Sequence, residues 1–376
     1  MDAFAARTGL RGDRPDTRRY LWTDAFAVCN FLELYRRTSE PAALETALRL
    51  VDRVHQVLGR HRPDEPHQGW LSGLGDEAGC VHPTAGGLRI GKDLPERSVR
   101  EPFDERLEWE RDGQYFHYLT RWMHALTRLR AATGDERWLG QAIELARIAH
   151  RGFVYRPHPG ARPRMFWKMS IDLSRPQVPS MGHHDPLDGW LTTLELCAQA
   201  GRSPEELGLA DAVGDLHSMC VDTDWATVDL LGLGGLLVDA YRSARLTLAG
   251  MIERGVLERI LGDVLRGVAA SARSWPFDRL PDHRLAFREL GFAIGLHALP
   301  KLRDLVATHE VSASVESSLT DLMKLVPLAG RIEQFWLEPR NRSSRSFVDH
   351  EDIDAVMLAT SLVPDGYLEI DVLREA

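Results

Sequence analysis

Only four cysteines, Cys29, Cys80, Cys197 and Cys220, occur in 376 residues, and none stands in a CxxC spacing. Three of them lie in or next to apolar stretches, so they read as reduced thiols of a cytoplasmic protein rather than a disulfide framework. Nowhere do 18 apolar residues run together, and the chain lacks the apolar segment of a signal peptide behind its opening Met-Asp-Ala-Phe. Membrane insertion and secretion are therefore not expected. Basic residues are in deficit, 46 Lys and Arg against 55 Asp and Glu for a net charge of −9, and they are scattered. Without a basic stripe, nucleic acid is not an expected partner. HExxH, GxSxG and GxxxxGK[ST] patterns are all missing, which leaves metalloprotease, triad and P-loop chemistry without a motif. No cofactor and no metal are expected. Gly232, Gly234 and Gly235 follow no predicted strand, so close helix packing suits them better than a dinucleotide fingerprint.

What is present is an ordinary globular mixture, 44% hydrophobic and 27% charged, with enough apolar residues for a sizeable core. Its dominant pattern is a repeat. A constant offset of 95 aligns residues 34–55 with 129–150 without gaps, matching Leu34 to Leu129, Thr38 to Thr133, Leu44 to Leu139, Leu50 to Leu145 and His55 to His150. Within the first copy Leu44, Ala47, Leu48, Val51, Val54 and Leu58 recur at helical spacing with Glu45, Arg49 and Arg53 between them, which predicts a helix burying one face. The segment before it, Leu21 to Leu34, is apolar nearly all round, as an enclosed inner helix requires. Residues 115–129, 187–200, 225–241, 285–299 and 352–363 behave alike, and each but the last is followed by a more amphipathic partner. Inner-to-outer turns are short and returns are long, so the long loops, at about 59–108 and 153–184, gather on one rim. Loops of that length are commonly functional. A helical solenoid also repeats helix pairs, but its connections are shorter and more uniform.

In this repeat architecture the chain resembles the six-hairpin glycosidase and N-acylglucosamine 2-epimerase type of (α/α)6 barrel. The resemblance implies a single all-α domain over residues 1–376, a barrel or toroid of about six helical hairpins, incomplete or complete at its C-terminus. It also implies a carbohydrate site at the rim that bears the long loops.

Candidate residues cluster where inner helices begin. Met181-Gly-His-His-Asp-Pro-Leu-Asp-Gly-Trp190 enters the third; Pro186 suits the first helical position, making Asp185 a natural cap, while Asp188 lies in the first turn of an enclosed helix. His183 and His184 supply groups that titrate near neutrality or bond sugar hydroxyls. At the second, Glu108 and Asp112 stand four apart beside Trp109, Tyr115 and His117. By the repeat offset His117 takes the place of Trp22 and Tyr115 that of Tyr20. Asp24, two residues deeper, is an acid in an apolar helix that needs a partner such as Arg18 or Arg19, or a purpose. The fourth and sixth open with Asp222-Thr-Asp224-Trp225 and Asp349-His350-Glu351-Asp352, which read as caps and first-turn acids or as further rim ligands.

These residues predict an acidic, aromatic cup for a saccharide or polyol, with Trp22, Trp109, Tyr115, His183, Trp190, Asp224, Trp225, His350 and Glu351 as binding groups. The leading expectation is an enzyme that hydrolyses a glycosidic bond through Asp24 and Asp188, supported by His184 and His117. The alternative is a sugar epimerase or isomerase in which His184 and His350 exchange a proton at carbon. A third is a carbohydrate-binding or scaffold protein without catalysis.

Overall fold

The computed structural model describes residues 1–11 and 18–369. Among these residues the regular structure is helical apart from strands of two or three residues, and the helices fall into two compact units that divide between Val221 and Asp222.

In the first unit, helix α1 (Leu21–Thr38) pairs with α2 (Pro41–Leu58), α3 (Phe116–Thr133) with α4 (Arg137–Phe153), and α5 (Asp185–Ala200) with α6 (Ala210–Cys220). Helix α3 packs between α1 and α5, so the first member of each pair is the inner one. The burial follows the sequence pattern: α1 is buried from Leu21 to Glu33 without a break, whereas α2 buries Ala47, Leu50, Val51, Val54, His55 and Leu58 along one stripe. The 95-residue repeat extends to the caps. Ser39 ends α1 in the left-handed region at φ 57°, and Gly134 ends α3 there at φ 71°, each N–H closing back on the preceding turn. The third turn is longer than expected, since α6 begins only at Ala210.

The long segments of this unit are ordered by buried polar hubs and a small sheet. Gln114–Tyr115 pairs antiparallel with Lys168–Met169, which pairs with Pro176–Val178. Asp112, fully buried, accepts from the Gly91 and Gly113 amides at 2.9 and 3.0 Å and is held by Arg89 and by Arg62 at 3.4 Å. Glu108 is matched by buried Lys168 at 3.1 Å and by Arg97 at 2.9 Å. The two acids are thus cornerstones of the loop fold rather than an adjacent catalytic pair.

In the second unit, α7 (Leu230–Leu248) pairs with α8 (Gly255–Ser271), and α9 (Ala286–Val306) is flanked by α7, α10 (Ala313–Met323), α11 (Pro327–Leu337) and α12 (Glu351–Leu362). Helix α7 begins five residues later than expected, because Asp229 is its cap and accepts from the Gly232 amide at 3.0 Å. Where α7 crosses α9, a Cβ on Gly234 would lie 2.1 Å from the Gly291 carbonyl oxygen and one on Gly295 2.5 Å from that of Gly234. Backbones touch there, which is the packing use expected of the glycine run. Among the described residues, no helix is long and apolar enough to cross a membrane.

Candidate active site

In the first unit the N-terminal ends of α1, α3 and α5 adjoin one another, and the residues at those ends form a continuous chain of contacts. It starts at Tyr20, the cap position of α1, whose hydroxyl lies 2.5 Å from that of Tyr118 on α3. The Lys92 ammonium, delivered by the long loop, sits 5.4 Å from the centre of the Tyr20 ring. Tyr118 meets Tyr115 and His117 edge-on or tilted at 5.2 and 4.7 Å, and Tyr115 stacks on His117 at 5.4 Å. Beyond Tyr115 the chain continues to Trp109 and Trp167, which are 4.8 Å apart and nearly perpendicular. Burial, with the neighbouring Tyr20 adding to it, pushes the Tyr115 phenol well up and the Tyr118 phenol likewise, so both remain protonated hydrogen-bonding groups at neutral pH.

On its other side His117 faces α5. Its Nδ1 lies 3.7 Å from Asp185 Oδ2, and both atoms are buried without a hydrogen-bond partner among the described residues. Orphaned polar atoms facing each other across less than 4 Å form a pair that closes by a small side-chain movement. The His117 side chain is 29% exposed and that of Asp185 10%, so the imidazole is the solvent-facing member. Room for the carboxylate is made by Gly182, where a Cβ would come within 2.2 Å of Oδ2. Asp185 is the first helical residue of α5 rather than its cap, a place taken by His184. The rings of His183 and His184 lie 4.6 Å apart, with His183 exposed and His184 half-buried.

The two expected catalytic carboxylates have other occupations. Asp24 is buried, accepts from the Tyr20 amide at 3.3 Å and lies 3.7 Å from the Arg19 guanidinium, the arginine partner that the sequence offered as its structural explanation. Asp188 binds Arg121 at 3.0 Å and the Thr120 hydroxyl at 2.5 Å, tying α5 to α3. Several expected aromatic ligands are core residues. Trp22 packs on Phe26 at 4.6 Å, Trp190 on His217 at 4.7 Å, and Trp225 lies under Arg259. All three are buried, so none offers a ring face to a ligand, whereas Trp109 is 43% exposed. In the second unit Asp224 is an exposed partner of Arg266 at 2.7 Å, His350 bonds the Ser346 carbonyl at 3.0 Å, and Glu351 is exposed in the first turn of α12.

Sequence reasoning passed over Lys92, Tyr118 and Trp167, each of which reaches this chain of contacts through tertiary packing alone. It also passed over His61 and Glu65, 3.9 Å apart in the long loop. Burial, reinforced by Glu96, raises the Glu65 carboxyl to about 7, and burial lowers the His61 imidazole. Among the described residues, no group of His, Cys, Asp and Glu is arranged to hold a metal ion.

No protein-family model and no curated protein matches this chain. Solved structures similar to it include two epimerases. One is a cellobiose 2-epimerase from Spirochaeta thermophila DSM 6192, at 13% identity and a TM-score of 0.48, covering 93% of this chain and 88% of that one. The other is a sugar epimerase from a ruminal bacterium, at 10% identity and a TM-score of 0.48, covering 93% of this chain and 90% of that one. Neither similarity is close enough to transfer an activity.

Proposed function

We propose that this chain is a cytoplasmic carbohydrate-active enzyme whose chemistry is proton transfer by histidine, of the epimerase or isomerase kind, rather than glycoside hydrolysis. The observation that carries this reading is the His117–Asp185 pair. Closing the 3.7 Å gap to a hydrogen bond between Nδ1 and the Asp185 carboxylate would fix the imidazole's orientation and leave Nε2 to take a proton from, or return one to, a substrate carbon beside a carbonyl. Trp109 and Trp167 supply apolar surface for a sugar face, while Tyr20, Tyr118 and Lys92 supply donors for its oxygens. The four free cysteines fit a reducing compartment.

Hydrolysis stands second because it asks for two available carboxyl groups. Asp24 and Asp188 are each engaged by an arginine, and Glu108 and Asp112 by two basic partners each. His184 and His350, the pair the sequence suggested for proton exchange, belong to different units, so the reading does not rest on them.

The experiment is a panel of reducing mono- and disaccharides with products separated by chromatography. A new epimer or ketose supports this reading, and release of a smaller sugar from a disaccharide restores the hydrolase. Saturable binding with no product on any sugar makes the protein a binder. His117→Ala should lower turnover by roughly 10²–10⁴-fold, and Asp188→Asn should act mainly on stability.

A further inference from the structure

The second unit carries a separate cavity of about 370 Å³, within the size range of small-molecule sites, between the segment 277–284 and helix α11 with the residues after it. Its charge is one-sided. Arg331 and Arg340 line it from two elements, both exposed and without an ion pair among the described residues, while Glu338 is the one acid on the wall. A third arginine on its wall, Arg284, is buried and already spent: it bonds Glu289 through two nitrogens and the Phe277 carbonyl at 2.9 Å. That guanidinium lies 3.6 Å from the centre of the Phe335 ring, covering one face. Phe335 and Phe277, both half-buried, with Leu328 and Ile332 make the remaining wall apolar.

We infer that this cavity binds a small phosphorylated or carboxylated compound that has a flat or apolar body. Arg331 and Arg340 grip the anionic group, and the Phe277 and Phe335 side seats the body. Two guanidinium groups lining one cavity suit such a group because each presents two parallel N–H donors to a pair of oxygens. Arg284, neutralised by Glu289, acts as a fixed support for Phe335 rather than as a ligand. The cavity involves none of the residues of the candidate active site, so the inference is independent of the reaction assigned to His117.

Calorimetric titration of the whole protein at constant ionic strength tests this with three probes: phenyl phosphate, benzoate and phenol. Saturable one-to-one binding of phenyl phosphate or benzoate, weakened roughly tenfold or more in Arg331→Gln/Arg340→Gln, is the expected result. Whichever anion binds more tightly identifies the phosphate or the carboxylate as the natural head group. Binding of phenol as tight as that of the anions would overturn the role of charge. No saturable binding of either anion, or equal binding by the double variant, would overturn the site. Both arginines are exposed, so the double variant is expected to fold as the parent does, which its melting temperature checks.

Discussion

At the scale of residues, chemistry here is decided by which polar atoms are left without a partner. Asp24 and Asp188 were the obvious acids in the sequence because they sit in apolar helices, but burial made their arginine partners obligatory; Arg19 was the partner the sequence offered for Asp24, whereas Arg121, 67 residues from Asp188, was not legible there. His117 was legible through the repeat offset, and Asp185 was legible as a helix-start residue, yet their pairing across α3 and α5 was not. Asp354 in α12 shows the same logic at a stability site. It is fully buried, its Oδ1 accepts from the Phe287 amide at 2.8 Å, and its Oδ2 has no partner among the described residues. Burial raises its carboxyl to about 8, with Glu289 adding to the shift and the Phe287 amide opposing it. The folded state therefore holds a proton that the unfolded chain releases near the ordinary value of 3.8, so this contribution to stability is full in acid and is lost as pH rises through about 8. Asp354→Asn, compared with the parent by chemical denaturation, should gain in relative stability by roughly 5 kcal/mol between about pH 4 and about pH 9. A constant difference across that range would contradict a buried protonated Asp354.

Elements were the most legible level. All six segments expected as inner helices are helical and were marked by apolar composition, and the outer stripe of α2 by its spacing, because a helix enclosed on most sides and a helix lying on a surface need different patterns. Boundaries were less secure: α7 was placed too early because Asp222-Thr-Asp224-Trp225 resembles a helix start, and the true cap, Asp229, is followed by a glycine-rich run that weakens the signal. Equivalent positions in the repeat have also diverged. His55 is buried, accepts from the Trp122 indole at 3.1 Å and is pushed down to about 3 by burial, whereas His150 pairs with Asp215 at 3.0 Å. The glycine run gives an internal control on packing. Gly234→Ala must push α7 and α9 apart and should cost about 1–3 kcal/mol, while nothing lies within 4 Å of a Cβ on Gly235. Gly235→Ala should instead stabilise the helix by up to about 1 kcal/mol. Thermal melts of the two variants should move in opposite directions.

For the whole molecule, two units place two unlike sites on one chain: an aromatic and histidine-bearing one in the first, and an arginine-lined cavity in the second. The sequence foretold the long segments that dress the first site, but not their order. Loops of that length carry no periodicity, and what fixes them is the set of buried ion pairs around Asp112 and Glu108. The proposed reaction has a histidine move a proton to and from carbon. It is tested most directly by incubating the protein with its best sugar in deuterated water and following deuterium at the carbon beside the carbonyl by NMR. Deuterium should enter that carbon with the wild-type protein and at least roughly 100-fold more slowly with His117→Ala. Product formation without deuterium at carbon, or undiminished exchange in that variant, would contradict the account.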